Sequence, residues 1–258
     1  MNLMHPWIAA ALSVMAWCVA SADGGLDPAF HAPSMAPIPN LIAFQKDGRI
    51  LVNVGSGGGV PGLIRLNANG SADGAFSTGK GPMIITAPIS IPGLSLPGAT
   101  NAGSIASVAL QSSGQIIVGG NFTHFDSTSA ARALVVRLKT DGSVDTTVTA
   151  GNLLAGGSGG TMVQSVAVDD SDRIYVGGRF AMVNGAARGM ALIRLKADGT
   201  VDGTFADTKL TDFGNVSILQ ISFQPDHKIL VVASWFPSVS TPTAAVVKAV
   251  ISILPSRP

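Results

Sequence analysis

Residues 52–66 read VNVGSGGGVPGLIRL, which places Gly57, Gly59 and Gly62 at the G-x-G-x-x-G spacing directly after an apolar run. In a dinucleotide fold such a loop wraps a pyrophosphate at a helix N-terminus, so the chemistry needs a helix next. The next residues are instead "LIRL", a strand-like run, with Pro61 before it. The glycines therefore read as a tight reversal in a hairpin. "GGSGG" at residues 156–160 matches G-x-S-x-G with Ser158 as nucleophile, but that elbow needs strand, turn and helix, and this one sits in a glycine-rich connector.

Other chemistry-bearing residues are sparse. His31, His124 and His227 lie at non-equivalent places without a ligand-spaced companion, so each reads as a solvated histidine. "DDSD", with Asp169, Asp170 and Asp172, could suggest calcium; it aligns with plain hairpin turns and reads as an Asx turn. Asp126, Asp207 and Asp212 are the spare loop acids that a glycosidase or lyase would have to bring together.

The elements that position these residues come from a repeat. "SVALQSSGQIIVGGNF" (107–122) returns as "SVAVDDSDRIYVGGRF" (165–180), with "LIAFQKDGRILVNVGS" (41–56) before and "QISFQPDHKILVVASW" (220–235) after. The second half of each unit also recurs, as "LIRLNANGSADGAF" (63–76), "VVRLKTDGSVDTTV" (135–148) and "LIRLKADGTVDGTF" (192–205). The fourth unit offers "VVKAVISILP" from residue 246, and its Gly-Ser-x-Asp tail is missing. That tail stands at the other end of the chain: "DGGLDPAF" (23–30) matches "DGTVDGTF" (198–205).

Each unit carries an apolar segment, a tight turn ("KDGR", "SSGQ", "DSDR", "PDHK"), a β-rich run, a variable loop, a third strand and a short final one. No window of useful length shows helical periodicity. About four antiparallel strands per unit, four times over, predict a four-bladed β-propeller, closed by pairing of the N- and C-terminal strands. The units are approximately 31–76, 104–148, 162–205 and 216–258, the last completed by 23–30. Residues 77–103 form a Pro- and Ile-rich insertion, suited to recognition or to an added strand pair.

Within this frame the recurrent residues take structural roles. Phe30, Phe76, Val148 and Phe205 close the tails and plug contacts between blades, and Phe122, Phe180 and Trp235 recur after the second strand. Gly119-Gly120 and Gly177-Gly178 allow close backbone approach or a bulge; Asn53-Val54 and Val232-Ala233 replace them in units one and four. The tail aspartates Asp27, Asp73, Asp145 and Asp202 would accept turn N–H bonds or, facing the axis, form a cation ring. Arg65, Arg137 and Arg194, with Lys248 as a possible fourth, suit Arg–Asp pairing.

The units at 107–148 and 165–205 resemble the delta-60 repeat, found in exported bacterial proteins and classed as a β-propeller of unknown function. The resemblance implies a propeller and export, and transfers no catalytic residue.

Residues 1–22 read as a signal peptide: 7–20 are almost wholly apolar and "ASA" at 20–22 offers a cleavage site after Ala22, although "MNLMHP" carries only the terminal amine and His5 as cations. The only cysteine, Cys18, lies inside it, so the mature chain has no thiol, and neither disulfides nor thiolate metal sites are expected. The remaining 23–258 reads as a single domain, secreted or periplasmic. With net charge +1 and 12% charged residues, nothing favours nucleic acid. The expected function is a non-catalytic binding or surface-interaction module for a protein or glycan, without cofactor or metal, and a homodimer if the ring does not close alone; the alternative is an extracellular carbohydrate-active enzyme.

Overall fold

The computed structural model describes residues 27–33, 41–54, 62–77, 81–85, 89–91, 94–96, 100–126, 134–148, 161–180, 182–183, 186–187, 191–205, 215–236 and 247–253, which contain strands and turns and no helix. In chain order, unit one holds β1 (Leu41–Phe44), β2 (Ile50–Asn53) and β3 (Leu63–Leu66). The insertion holds β4 (Pro82–Ile85), β5 (Ile89–Ile91), β6 (Leu94–Leu96) and β7 (Thr100–Ala102). Unit two holds β8 (Ser104–Leu110), β9 (Ile116–Asn121), β10 (His124–Phe125) and β11 (Val135–Leu138). Unit three holds β12 (Met162–Val168), β13 (Ile174–Arg179), β14 (Met182–Val183), β15 (Ala186–Ala187) and β16 (Leu192–Leu195). Unit four holds β17 (Asn215–Phe223), β18 (Ile229–Phe236) and β19 (Val247–Ile253).

Each unit builds one three-stranded antiparallel sheet with its second strand central: β1-β2-β3, β8-β9-β11, β12-β13-β16 and β17-β18-β19. The expected fourth strand shrinks to a single bridge, Leu66 to Ala72, Leu138 to Val144 and Leu195 to Val201. The cause is the aspartate next along the chain. Asp73 still donates its N–H to the Arg65 carbonyl, but its own carbonyl then accepts from Phe76 N, so the chain turns away from the sheet. Asp202 and Phe205 repeat this geometry.

The sheets stack in chain order, β8 against β1, β12 against β8 and β9, and β17 against β12 and β13. The central strands supply the core: Ile116, Ile117 and Val118, and again Ile174, Tyr175 and Val176, are at most 1% exposed. Burying each such side chain contributes about 1.5–3 kcal/mol. The glycine pairs do both things expected of them. A Cβ on Gly119 would stand 2.6 Å from Val163 Cγ1, and one on Gly177 2.6 Å from Ile218 Cγ2, so the first glycine admits side chains of the next sheet. A Cβ on Gly120 would stand 2.0 Å from the Ser104 carbonyl oxygen, beside the register shift between Ile105 and Ser107, so the second accommodates a bulge. In unit one Asn53 fills the first position, buried, and its Nδ2 donates to the Ile105 carbonyl at 3.3 Å.

The insertion forms added strands. β4 lies between β7 and β10, so it is fastened to the loop of unit two, and β5 pairs with β6 as a separate hairpin. The glycine-rich stretch of unit one joins two antiparallel strands, with Asn53 opposite Leu63 and Val54 N donating to the Gly62 carbonyl. That is hairpin geometry, with β3 where a dinucleotide loop would need a helix. Gly57, Gly59, Ser158, Asp207 and Asp212 lie outside the described residues.

Candidate functional site

Two sets of charged residues stand out, and they adjoin in unit one, where Arg49 Nε lies 3.6 Å from Asp73. The first is a buried clamp. Arg65 Nε donates to Asp73 at 2.8 Å, Arg137 Nη2 lies 2.8 Å from Asp145 and Arg194 Nε 2.8 Å from Asp202. Strand pairing puts each arginine on its sheet's third strand, and the bridge returns the aspartate eight residues later to the same place. The other carboxylate oxygen accepts turn N–H bonds from Ala75, Thr147 and Thr204. Asp27 does the same with Ala29 N at 2.8 Å. Asp73, Asp145 and Asp202 are thus committed to arginines and amides rather than arranged as a cation ring.

The clamp also joins neighbouring units. Arg65 Nη1 donates to the Thr140 carbonyl, and Arg137 Nη1 to the Ala197 carbonyl at 2.9 Å, each in the Asp-Gly turn of the following unit. Phe76 and Phe205 lie against the guanidinium groups at 4.6 and 4.9 Å. In the third clamp Arg194 Nη1 is buried and has no partner. In unit four the arginine position, opposite Leu230, is held by Ser252, while Lys248 stands opposite Ser234. Lys248 is therefore not the fourth member of the set.

Burial raises the carboxyl pKa of Asp145 and Asp202, and the opposing bonds from the threonine hydroxyl and amide and from the arginine outweigh it, so both end below the ordinary value. Asp73 is lowered first by the Ala75 amide and then by Arg65.

The second set forms a crown of turns. Because the sheets stack with like strands in contact, their first hairpin turns gather at one end. Those of units one to three surround a cleft of about 600 Å³, lined among others by Phe44, Lys46, Arg49, Ser112, Asp170 and Asp172. A second pocket of about 170 Å³ lies between the turns of units three and four, lined by Tyr175, Phe223 and His227, and it shares Asp169 and Asp170 with the first. All four turns place their third residue at positive φ: Gly48, Gly114, Asp172 and His227. Units three and four keep side chains where glycine is the unstrained choice.

Asp172 uses its side chain across the crown. It accepts from Ser112 Oγ and, at 2.6 Å, from Ser112 N, and these bonds, with Lys46 nearby, lower its pKa. Lys46 Nζ points back to the Ser112 carbonyl at 3.5 Å. Asp169 is consumed locally, accepting from Ser171 N, Arg173 and the Tyr175 hydroxyl, which is the Asx-turn reading of "DDSD". The Asp170 side chain remains 94% exposed, 3.9 Å from His227 Nδ1. Phe44 is 71% exposed at the rim, and Gln45 Oε1 is buried without a partner beside the cleft.

The loop acid Asp126 stands elsewhere, its N–H donating to the Gly81 carbonyl beside the inserted strands. His31 is tied to the first unit through its N–H on the Asn69 carbonyl, and His124 sits in β10. Of the three histidines, His227 alone reaches the crown. Sequence reasoning passed over Lys46, Arg49 and Phe44 because each turn alone is ordinary. The available signal was that four turns at one repeat position must converge in a radial array while differing in composition.

The chain matches the model of a β-propeller domain of unknown function, DUF5122, at residues 45–76, 111–147 and 171–205. No curated protein matches. Among solved structures it resembles PorZ, described as an essential bacterial surface component of the type-IX secretion system of Porphyromonas gingivalis, at 15% identity and a TM-score of 0.31, over 81% of this chain and 34% of that one. The chain thus spans about a third of the PorZ chain. The described residues are all strands and turns in stacked antiparallel sheets, and three of the units match β-propeller repeats.

Proposed function

We propose that this protein is an exported, non-catalytic β-propeller that binds a partner at the crown of turns. One observation carries the reading: the charged residues that recur are consumed in buried clamps, whereas the turns that differ from unit to unit converge on a cleft of about 600 Å³. Rigid repeated scaffolds with varied connecting segments are suited to recognition. The test is incubation of residues 23–258 with polysaccharides and with immobilised peptides. Binding that is lost when the crown is changed, without product formation, supports the reading; hydrolysis or elimination products overturn the non-catalytic part.

The four units, of the delta-60 type, are proposed to be the four blades of one domain, with 23–30 as the missing tail of the fourth. The docking of that segment supports this. His31 N donates to the Asn69 carbonyl in the first Asp/Asn-Gly turn just as Ser77 N donates to the Asp141 carbonyl in the second, and Phe30 packs on Ile50, Val52 and Leu66. A chain beginning at residue 31 should lose stability; unchanged urea unfolding would contradict closure. Residues 1–22 are proposed to direct export to the periplasm or beyond, which cleavage after Ala22 in a secreting host would test.

A further inference from the structure

We infer that the crown takes a linear, neutral oligosaccharide; this rests on the proposed binding role and specifies its ligand. Four observations converge on that chemistry.

The cleft carries both charges interspersed. Lys46, Asp47 and Arg49 of unit one and Asp170 and Asp172 of unit three all line it, with Arg49 3.4 Å from Asp47 and Lys46 beside Asp172, so a polyanion meets acids and a polycation meets bases. An uncharged ligand whose groups both donate and accept hydrogen bonds suits this mixed lining, and a sugar hydroxyl does so. Second, the exposed ring of Phe44 offers an apolar face to the C–H side of a pyranose, and Phe223 at the equivalent position of unit four lines the adjoining pocket. Two aromatic positions, one in each of two adjoining pockets, suit a ligand that itself repeats.

Third, the two pockets share Asp169 and Asp170, so a linear chain can pass from one to the other, and the main cleft at about 600 Å³ is within the ~300–1,000 Å³ of small-ligand sites. Fourth, Gln45 Oε1 at the cleft is an acceptor lacking a donor among the described residues, and a ligand hydroxyl supplies one. A peptide is served less well. The strand residues in the lining, Phe44, Arg65, Leu110 and Val168, are single residues from four different strands, so they offer no run of main chain for β-pairing, and the rest of the lining is turns.

The experiment displays cello-, chito-, xylo- and manno-oligosaccharides, acidic uronate oligosaccharides and a peptide library to residues 23–258. Phe44→Ala and Asp170→Ala are compared with Lys139→Ala, an exposed change in an Asp-Gly turn. The expected result is binding to at least one neutral series, weakened more than about tenfold by each crown variant and unchanged by Lys139→Ala, with the melting temperature held. Binding only to uronates or only to peptides, still sensitive to Phe44→Ala, overturns the saccharide assignment and leaves the binding module standing. No binding to any array, or binding indifferent to both crown variants, overturns both. Turnover of a bound oligosaccharide sustains the ligand class and removes the non-catalytic claim.

Discussion

The clamp and the crown are made from the same residue types and do opposite work. Arg137 and Asp145 are buried on the third strand and tail, satisfied on nearly every polar atom, and repeated in three units. Lys46 and Asp170 stand on turns, exposed, and are replaced by other residues in the neighbouring units. Where a charge is buried, its partners must recur with it, because one missing partner leaves an uncompensated ion. Where it is exposed, substitution costs little and composition is free to follow a ligand.

Breaking the clamp should have the largest effect. Arg137→Ala leaves Asp145 buried without its cation and removes the bond to the Ala197 carbonyl, so about 3–5 kcal/mol of unfolding free energy should disappear in urea titration. The close approach of sheets ranks second. Gly119→Ala places a methyl 2.6 Å from Val163 Cγ1 at the interface of units two and three, with an expected loss of about 1–3 kcal/mol.

Acid should act more gently, and on both sets. The folded-state pKa values of Asp73, Asp145, Asp172 and Asp202 lie below the ordinary 3.8, so their stabilisation is complete above that value and is lost as pH falls through the folded values. The melting temperature should therefore be flat with respect to these groups above about pH 5 and fall below about pH 4. Asp202→Asn should flatten that decline.

The frame was legible in the sequence because it recurs. Repetition exposed the antiparallel strand pattern and the Arg–Asp pairing, and the glycine pairs marked where sheets approach. The fourth strand of units one to three was overstated, since the pattern of Ala72, Val144 and Val201 reads as a strand while the chain turns away from the sheet after each. Lys248 was misplaced because the longer fourth hairpin shifts the register, which only the pairing of β18 with β19 reveals. The crown was hidden for another reason: its cleft belongs to three turns distant in sequence, none of which carries a motif.

The most direct test of the division between clamp and crown is to replace residues 46–48, KDG, by the SSG of unit two, which leaves Arg49 beside Asp73 of the clamp. The turn keeps its glycine at the third position, so unfolding free energy should change by no more than about 0.5 kcal/mol, while binding on the oligosaccharide array is lost. A loss of stability as large as that of Arg137→Ala, or binding that survives the exchange, would contradict the account.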